Sequence, residues 1–264
     1  MKKRLLSLLV SLCLLLSILP VSASAATCSG SCGKNVRYSL ENGVMTISGS
    51  GAMNRFADTT VPWRDYRNEI QSVVIEEGVT TVGSCSFYKC ENLTSVTLPS
   101  TLKEVQERSF LGCINLTAIT LPDGLEKLWD MAFTLSGVEH IVVPDSVTLL
   151  RPRSLGGCTA LTSAVIGTGI TEPQSSIFLN SDALESVTFR GELKYVSYSM
   201  FSGCRALKKI VLPDSVTAIE AKAFENSGLT EIQLGDAVTE IGEYAFARTP
   251  LEQIVLPQSM KKLG

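Results

Sequence analysis

The sequence predicts a solenoid: a β-dominated, right-handed coil that carries a parallel β-sheet of short strands and is closed at its N-terminal end by a β-hairpin. Three observations predict it. An apolar motif recurs at intervals of 22 or 23 residues along most of the 264-residue chain. Each copy opens with an alternation of apolar and polar residues, the signature of a strand with one buried face. Seven of the nine phenylalanines fall at a single position of the repeat. One such unit cannot bury its own apolar face, so stability has to come from stacked neighbours.

Residues 1–25 stand apart. Lys2, Lys3 and Arg4 precede an apolar stretch, Leu5 to Leu19, broken only by serines and Cys13. Pro20 ends it, and Ala23-Ser24-Ala25 supplies small residues. This is the pattern of a secretory signal peptide cleaved after Ala25. The stretch is shorter than the roughly 20 residues a bilayer span needs, so no membrane insertion is expected after cleavage. Thr27 before Cys28 argues against a lipid anchor. Cleavage leaves 239 residues with 20 basic against 26 acidic side chains, a net charge of −6. That balance does not suit a nucleic-acid partner.

Residues 26–69 read as a capping module. Two alternating runs, Val36 to Leu40 and Val44 onward, flank Asn42-Gly43, a strong hairpin-turn signal. Such a hairpin covers the open first edge of a solenoid.

The array occupies 70–264, with units starting at Ile70, Leu93, Leu116, Val138, Leu161, Leu184, Leu207, Leu229 and Leu251. The consensus is L-x-x-I-x-L-P-x-x-L/V-x-x-I-x-x-x-A-F-x-x-C. Proline ends the first strand because it cannot donate to a ladder. A second extended piece follows, as in Val216 to Ile219. The Ala–Phe pair is then expected on a short helical or 3₁₀ turn. Phe87, Phe110, Phe133, Phe178, Phe201, Phe224 and Phe246, with Leu155 in the remaining rung, are expected to stack as a spine. The unit from Leu161 is degenerate, with Gly167 at the proline position and Pro173 where an aliphatic residue belongs. Together with Arg151-Pro152-Arg153 it reads either as drift in a tolerant loop or as a local bulge, with raised mobility expected near 151–181. The chain stops 14 residues into its ninth unit, so further residues are expected beyond Gly264.

This pattern resembles the BspA-like leucine-rich repeat, over about three-quarters of the chain. The leader, with Cys28-Ser-Gly-Ser-Cys32-Gly and Pro62-Trp63, is similar to the module that precedes these repeats in exported proteins of Gram-positive bacteria. The resemblance implies a leucine-rich-repeat solenoid at the cell surface and a role in adhesion.

Chemistry-bearing motifs are few. There is one histidine, His140, at an outward strand position. No phosphate-binding loop, zinc-protease motif or nucleophile elbow occurs, and no enzyme activity, cofactor or metal is expected. Cys90, Cys113, Cys158 and Cys204 share one repeat position and read as buried fillers. Cys28 and Cys32 are a possible disulfide. The surface open to a partner is the outward strand face, including Thr94, Thr97, Thr117, Thr120, Glu139, His140, Glu185, Thr188, Lys208, Lys209 and Glu231. The chain is therefore expected to be a monomeric, secreted or surface-held binding scaffold for an extracellular protein or glycan. The alternative is a spacer displaying a further C-terminal domain.

Overall fold

The computed structural model describes residues 27–264; the expected signal peptide lies outside the described residues. Three strands open the chain: β1 (Cys28–Ser31), β2 (Val36–Glu41) and β3 (Val44–Gly49). They form an antiparallel meander. Asn42 and Gly43 at its second turn have φ of 50° and 79°. Two successive positive values define the turn whose twist matches a hairpin. The first strand of the meander is additional to the expected hairpin. β3 then pairs in parallel with Ser72–Ile75, and Gly51–Ala52 pairs with Val79–Val82. The cap thus closes both strand ladders of the array.

Of the two states left open for Cys28 and Cys32, the possible disulfide is not the one found: both are free thiols. The cause is the extended strand between them. At about 3.3 Å per residue, four steps hold the two Cα atoms roughly 13 Å apart, beyond the reach of a disulfide.

Each coil contributes up to three backbone ladders. The first comprises Ser72–Ile75, Ser95–Thr97, His140–Val143, Ser163–Ile166, Ser186–Phe189, Lys209–Ile210 and Glu231–Ile232. Its pairings are parallel and join equivalent positions, as His140 with Ser163 and Ser163 with Ser186. Residues 117–121 form no strand, although Ile119 and Leu121 still point inward and are buried. The second ladder runs from Val79–Val82 through Glu104–Val105 and Lys127–Leu128 to Leu149–Leu150. It resumes only at Tyr195–Val196 and continues to Lys262–Leu263. The missing rung is the degenerate unit, where Pro173 has no N–H to donate.

The Ala–Phe segment differs from expectation. Among the described residues, 3₁₀ helix occurs only at Asp58–Thr60 and Arg64–Glu69, both in the cap. In the array the segment is a turn whose alternate amides point different ways. The Ser86, Tyr88 and Cys90 N–H groups bond back three residues, to Gly83, Cys85 and Phe87. Those of Cys85, Phe87 and Lys89 reach across to the carbonyls of Glu107, Ser109 and Leu111 at 2.9, 2.8 and 2.7 Å. The alternation follows from left-handed residues two before and two after each spine position, with φ of 56° at Cys85 and 54° at Lys89. A left-handed L-residue costs about 1–2 kcal/mol and stops helix propagation. The inter-coil bonds are what it makes possible.

The spine forms as expected. Phe87, Phe110 and Phe133 stack at centroid separations of 5.4 and 5.3 Å, nearly parallel at 14° and 6°. Phe178, Phe201, Phe224 and Phe246 continue it at 5.6, 5.3 and 5.4 Å. Leu155, fully buried, fills the gap between the two runs. Trp63 of the cap heads the column, 6.0 Å from Phe87. Its indole N–H donates to the Ser86 carbonyl at 2.7 Å.

Two outcomes follow for stability. Phe110→Ala, between two stacked neighbours, should cost about 3–5 kcal/mol in urea unfolding. Phe246→Ala should cost less, because that ring is only partly buried and has one aromatic neighbour. In native-state hydrogen exchange, the Glu172 and Gln174 amides beside the missing rung should exchange faster than those of Ile219 and Ile241, which sit in the intact ladder.

Candidate binding face

The first ladder positions the outward side chains because each strand alternates. Ile141 and Val143 are buried, while His140 and Val142 are exposed. All eleven residues assigned to this face from sequence are exposed: Thr94, Thr97, Thr117, Thr120, Glu139, His140, Glu185, Thr188, Lys208, Lys209 and Glu231. The structure spreads them along successive coils rather than gathering them at one point. Threonine recurs here for a local reason. The hydroxyls of Thr94, Thr162 and Thr230 each donate to a carbonyl one coil back, those of Gln71, Glu139 and Lys208, at 3.1 Å. Lys209 and Glu231 pair across adjacent strands at 2.7 Å.

His140 has a partner that periodicity did not reveal. Its Nδ1 lies 2.8 Å from Ser163 Oγ and 3.2 Å from Thr162 Oγ1. The contact fixes the ring orientation on the face. A nucleophile–base pair also needs a group that orients the base. Among the described residues no carboxylate is hydrogen-bonded to the imidazole.

Beside His140 the face is concave. Ile119, Thr120, Leu121, Asp123, His140, Val142, Pro144, Asp145, Ser146 and Arg190 line a groove of about 510 Å³. Arg190 Nη1 lies 3.9 Å from Asp145 Oδ1, which also accepts the Thr168 N–H at 3.0 Å. Of these residues only Thr120 and His140 were assigned to the face from sequence. Asp123 and Asp145 follow the prolines that end their strands, and that Pro-Asp pair, repeated at Pro213-Asp214, is the signal that places an acid at the groove's rim.

The shared cysteine position lies on the inner side and has a specific job. The thiols of Cys113, Cys158 and Cys204 donate to the carbonyls of Phe87, Phe133 and Phe178, one coil back, at 3.1, 3.1 and 3.2 Å. Ser181, at the same position, donates to Leu155 at 2.9 Å. These side chains are therefore small hydrogen-bond donors rather than only apolar filler. In two of the 22-residue units the position is Ser136 or Ser227, followed by glycine. A Cβ at Gly137 or Gly228 would sit 2.1 or 1.9 Å from the carbonyl oxygen of Ile114 or Arg205, so the shortened loop admits no side chain there. Burial pushes the thiol of Cys90 up to about 12 and that of Cys158 up to about 11. It raises Cys113 and Cys204 strongly as well.

A family model described as the BspA type leucine rich repeat region matches in six copies, over residues 65–185 and 171–264. No curated protein matches the chain. Among solved structures, a leucine-rich repeat protein from Eubacterium ventriosum is 18% identical, with a TM-score of 0.44 over 87% of this chain and 97% of that one. A leucine-rich repeat protein from T. pallidum is 18% identical, with a TM-score of 0.46 over 80% and 84%. A leucine-rich cell surface protein from Faecalibacterium prausnitzii is 17% identical, with a TM-score of 0.36 over 91% and 95%.

Thiol chemistry tests the inner register. Raised folded pKa values mean that the native state holds protons the unfolded state gives up above pH about 8.5. The stability they contribute is complete below that pH and is lost as pH rises toward 11–12. Replacing Cys90, Cys113, Cys158 and Cys204 together by serine should flatten the fall in urea stability between pH 8 and 11. In the native protein at pH 8, a thiol reagent should label Cys28 and spare those four.

Proposed function

The chain belongs to the BspA-type leucine-rich-repeat family, and from that premise we propose that it is an exported, non-catalytic scaffold whose strand face binds extracellular proteins or glycans. The observation that carries this reading is the face itself: eleven exposed polar side chains on or beside the strands of the first ladder and on the matching segment 117–121, over a buried core. A backbone already ordered by packing has little further freedom to lose on binding, which favours association. Their spread over successive coils suits a large partner surface more than a small molecule. The basic, apolar and small-residue order of residues 1–25 supports export. Among the described residues no helix is long and apolar enough to cross a membrane. The Ser163–His140 contact serves this role by setting the direction of the ring.

The test is capture. The immobilised chain is exposed to extracellular-matrix proteins, mucin and a glycan array. Saturable binding of at least one, weakened by Lys208→Glu/Lys209→Glu or by His140→Ala/Glu185→Lys, is the expected result. Absence of any saturable partner overturns it.

A further inference from the structure

We propose that the outer edge of β1 is a self-association site, at which a second copy of this chain adds its own β1 antiparallel across a two-fold axis at Gly30. The inference goes beyond the scaffold reading and stands independently of it.

The edge is open. β1 is the outermost strand of the sheet that runs through β2 and β3 into the array, and among the described residues no strand lies beyond it. Its alternation decides which groups face out. The Cys32 N–H donates to the Val36 carbonyl at 2.9 Å. The register continues from there as Ser31 with Arg37, Gly30 with Tyr38 and Ser29 with Ser39. In an antiparallel ladder, bonded pairs alternate with unbonded ones. Gly30 is therefore bonded to Tyr38, while the N–H and C=O groups of Ser29 and Ser31 point away from β2. Among the described residues these four groups have no partner. Open edges are guarded elsewhere by a lysine, a proline or a bulge. Cys28, Ser29, Gly30 and Ser31 include no charge and no proline, and their pairing with β2 has no register shift.

Symmetry identifies the occupant. An axis through Gly30 sets Ser29 of one copy opposite Ser31 of the other. All four outward groups then find partners, because Ser29-Gly30-Ser31 reads the same in both directions. A slip of two residues would set Ser31 opposite Thr27, or Ser29 opposite Gly33, both outside the strand.

The side chains agree with this register. Ser29 and Ser31 are small and exposed. At the axis two glycines meet. A Cβ at Gly30 would stand 3.0 Å from the Tyr38 ring and 3.1 Å from its hydroxyl, so the ring leans over Gly30 toward the open edge. Pairing brings the two phenols to the axis in one row. Among the described residues the Tyr38 hydroxyl has no hydrogen-bond partner. Like charges stay apart: Arg37 and its copy are three strand spacings, about 14 Å, from each other, beyond the screening length. The end of the joined sheet that carries Lys34 and Arg37 of one copy carries Glu41 of the other. Both binding faces point to the same side, so two copies engage one large partner together. The monomer expected from the repeat pattern is then the dissociated state.

An interface of one short strand is small and associates weakly. Sedimentation velocity from roughly 10 µM to 1 mM covers that range, with amide hydrogen exchange measured at both ends. A monomer–dimer equilibrium is expected, with the Ser29 and Ser31 amides exchanging about tenfold more slowly at the high concentration and Gly30 unchanged. Ser29→Lys/Ser31→Lys sets like charges opposite each other across the axis and should weaken association about tenfold. Ser72→Lys/Ser95→Lys adds the same charge to the same sheet, away from the edge, and should leave association within about twofold. The near-UV signal of the buried Trp63 reports that the cap is folded; should the edge variant lose it, the wild-type exchange data decide. Monomer throughout would overturn the proposal. So would a dimer without added protection at Ser29 and Ser31, or equal weakening by the two variants. Protection of those amides at every concentration in a monomer would mean that the chain covers its own edge, and would overturn it as well. Each of these results leaves the scaffold reading standing.

Discussion

The interaction on which the rest of the structure depends is the register between one spine turn and the next. Each spine residue from Phe87 to Phe224 is buried against its neighbours, and the amides around it cross to the adjacent coil. Both strand ladders are interrupted, the first at 117–121 and again between Ser186–Phe189 and Lys209–Ile210, the second at 171–174. The turn ladder is carried through all three places. Phe110 and Gly112 remain bonded to Ala132 and Thr134, and Leu155 and Gly157 to Ile177 and Leu179. A coil can lose a strand and keep its place because the turn holds the spacing.

This arrangement explains the chemistry of the inner positions. A spine phenylalanine removes a large apolar surface from water and stacks within the preferred 4.5–7 Å range. Its carbonyl sits in a dry interior and needs a donor. The local amide three residues on supplies one, and over Phe87, Phe133 and Phe178 the thiol of the next coil supplies another, as the Ser181 hydroxyl does over Leu155. Cysteine and serine share that position because both are small enough for the packed interior. The buried thiols are consequently structural, with their reactive form disfavoured by burial. Cys28, on the edge strand of the cap, lies outside this system.

The breaks in the two strand ladders do not coincide, and that has a mechanical consequence. Where the second ladder is open, the first is at its longest, with four-residue strands at His140–Val143, Ser163–Ile166 and Ser186–Phe189. Where the first is open, the second is intact, from Gly51 to Leu150 at the first opening and from Tyr195 to Leu263 at the other. Each coil before the last described one, 251–264, is therefore tied to its neighbours by at least two sets of hydrogen bonds. The outer face can vary, and even form a groove, without loosening the stack.

Much of this was legible in the sequence. The period, the spine residues, the hairpin turn at Asn42-Gly43 and the disruption at Pro173 all follow from rules that act within one unit. Alternation sets a face, proline removes a donor, and two adjacent residues with positive φ make a tight turn. The exposure of the eleven outward residues follows for the same reason. Four features were decided only by tertiary structure: the replacement of a helical turn by an inter-coil ladder, the indole of Trp63 heading the aromatic column, the contact of His140 with Ser163, and the groove that joins Leu121 to Arg190. Each depends on residues 21 or more positions apart meeting across stacked coils, or on a strand leaving its ladder although its sequence matches its neighbours. A repeat sequence determines what every coil would do alone. How adjacent coils share donors, fill gaps and open a surface is set by packing between them, and that information is not contained in any single unit.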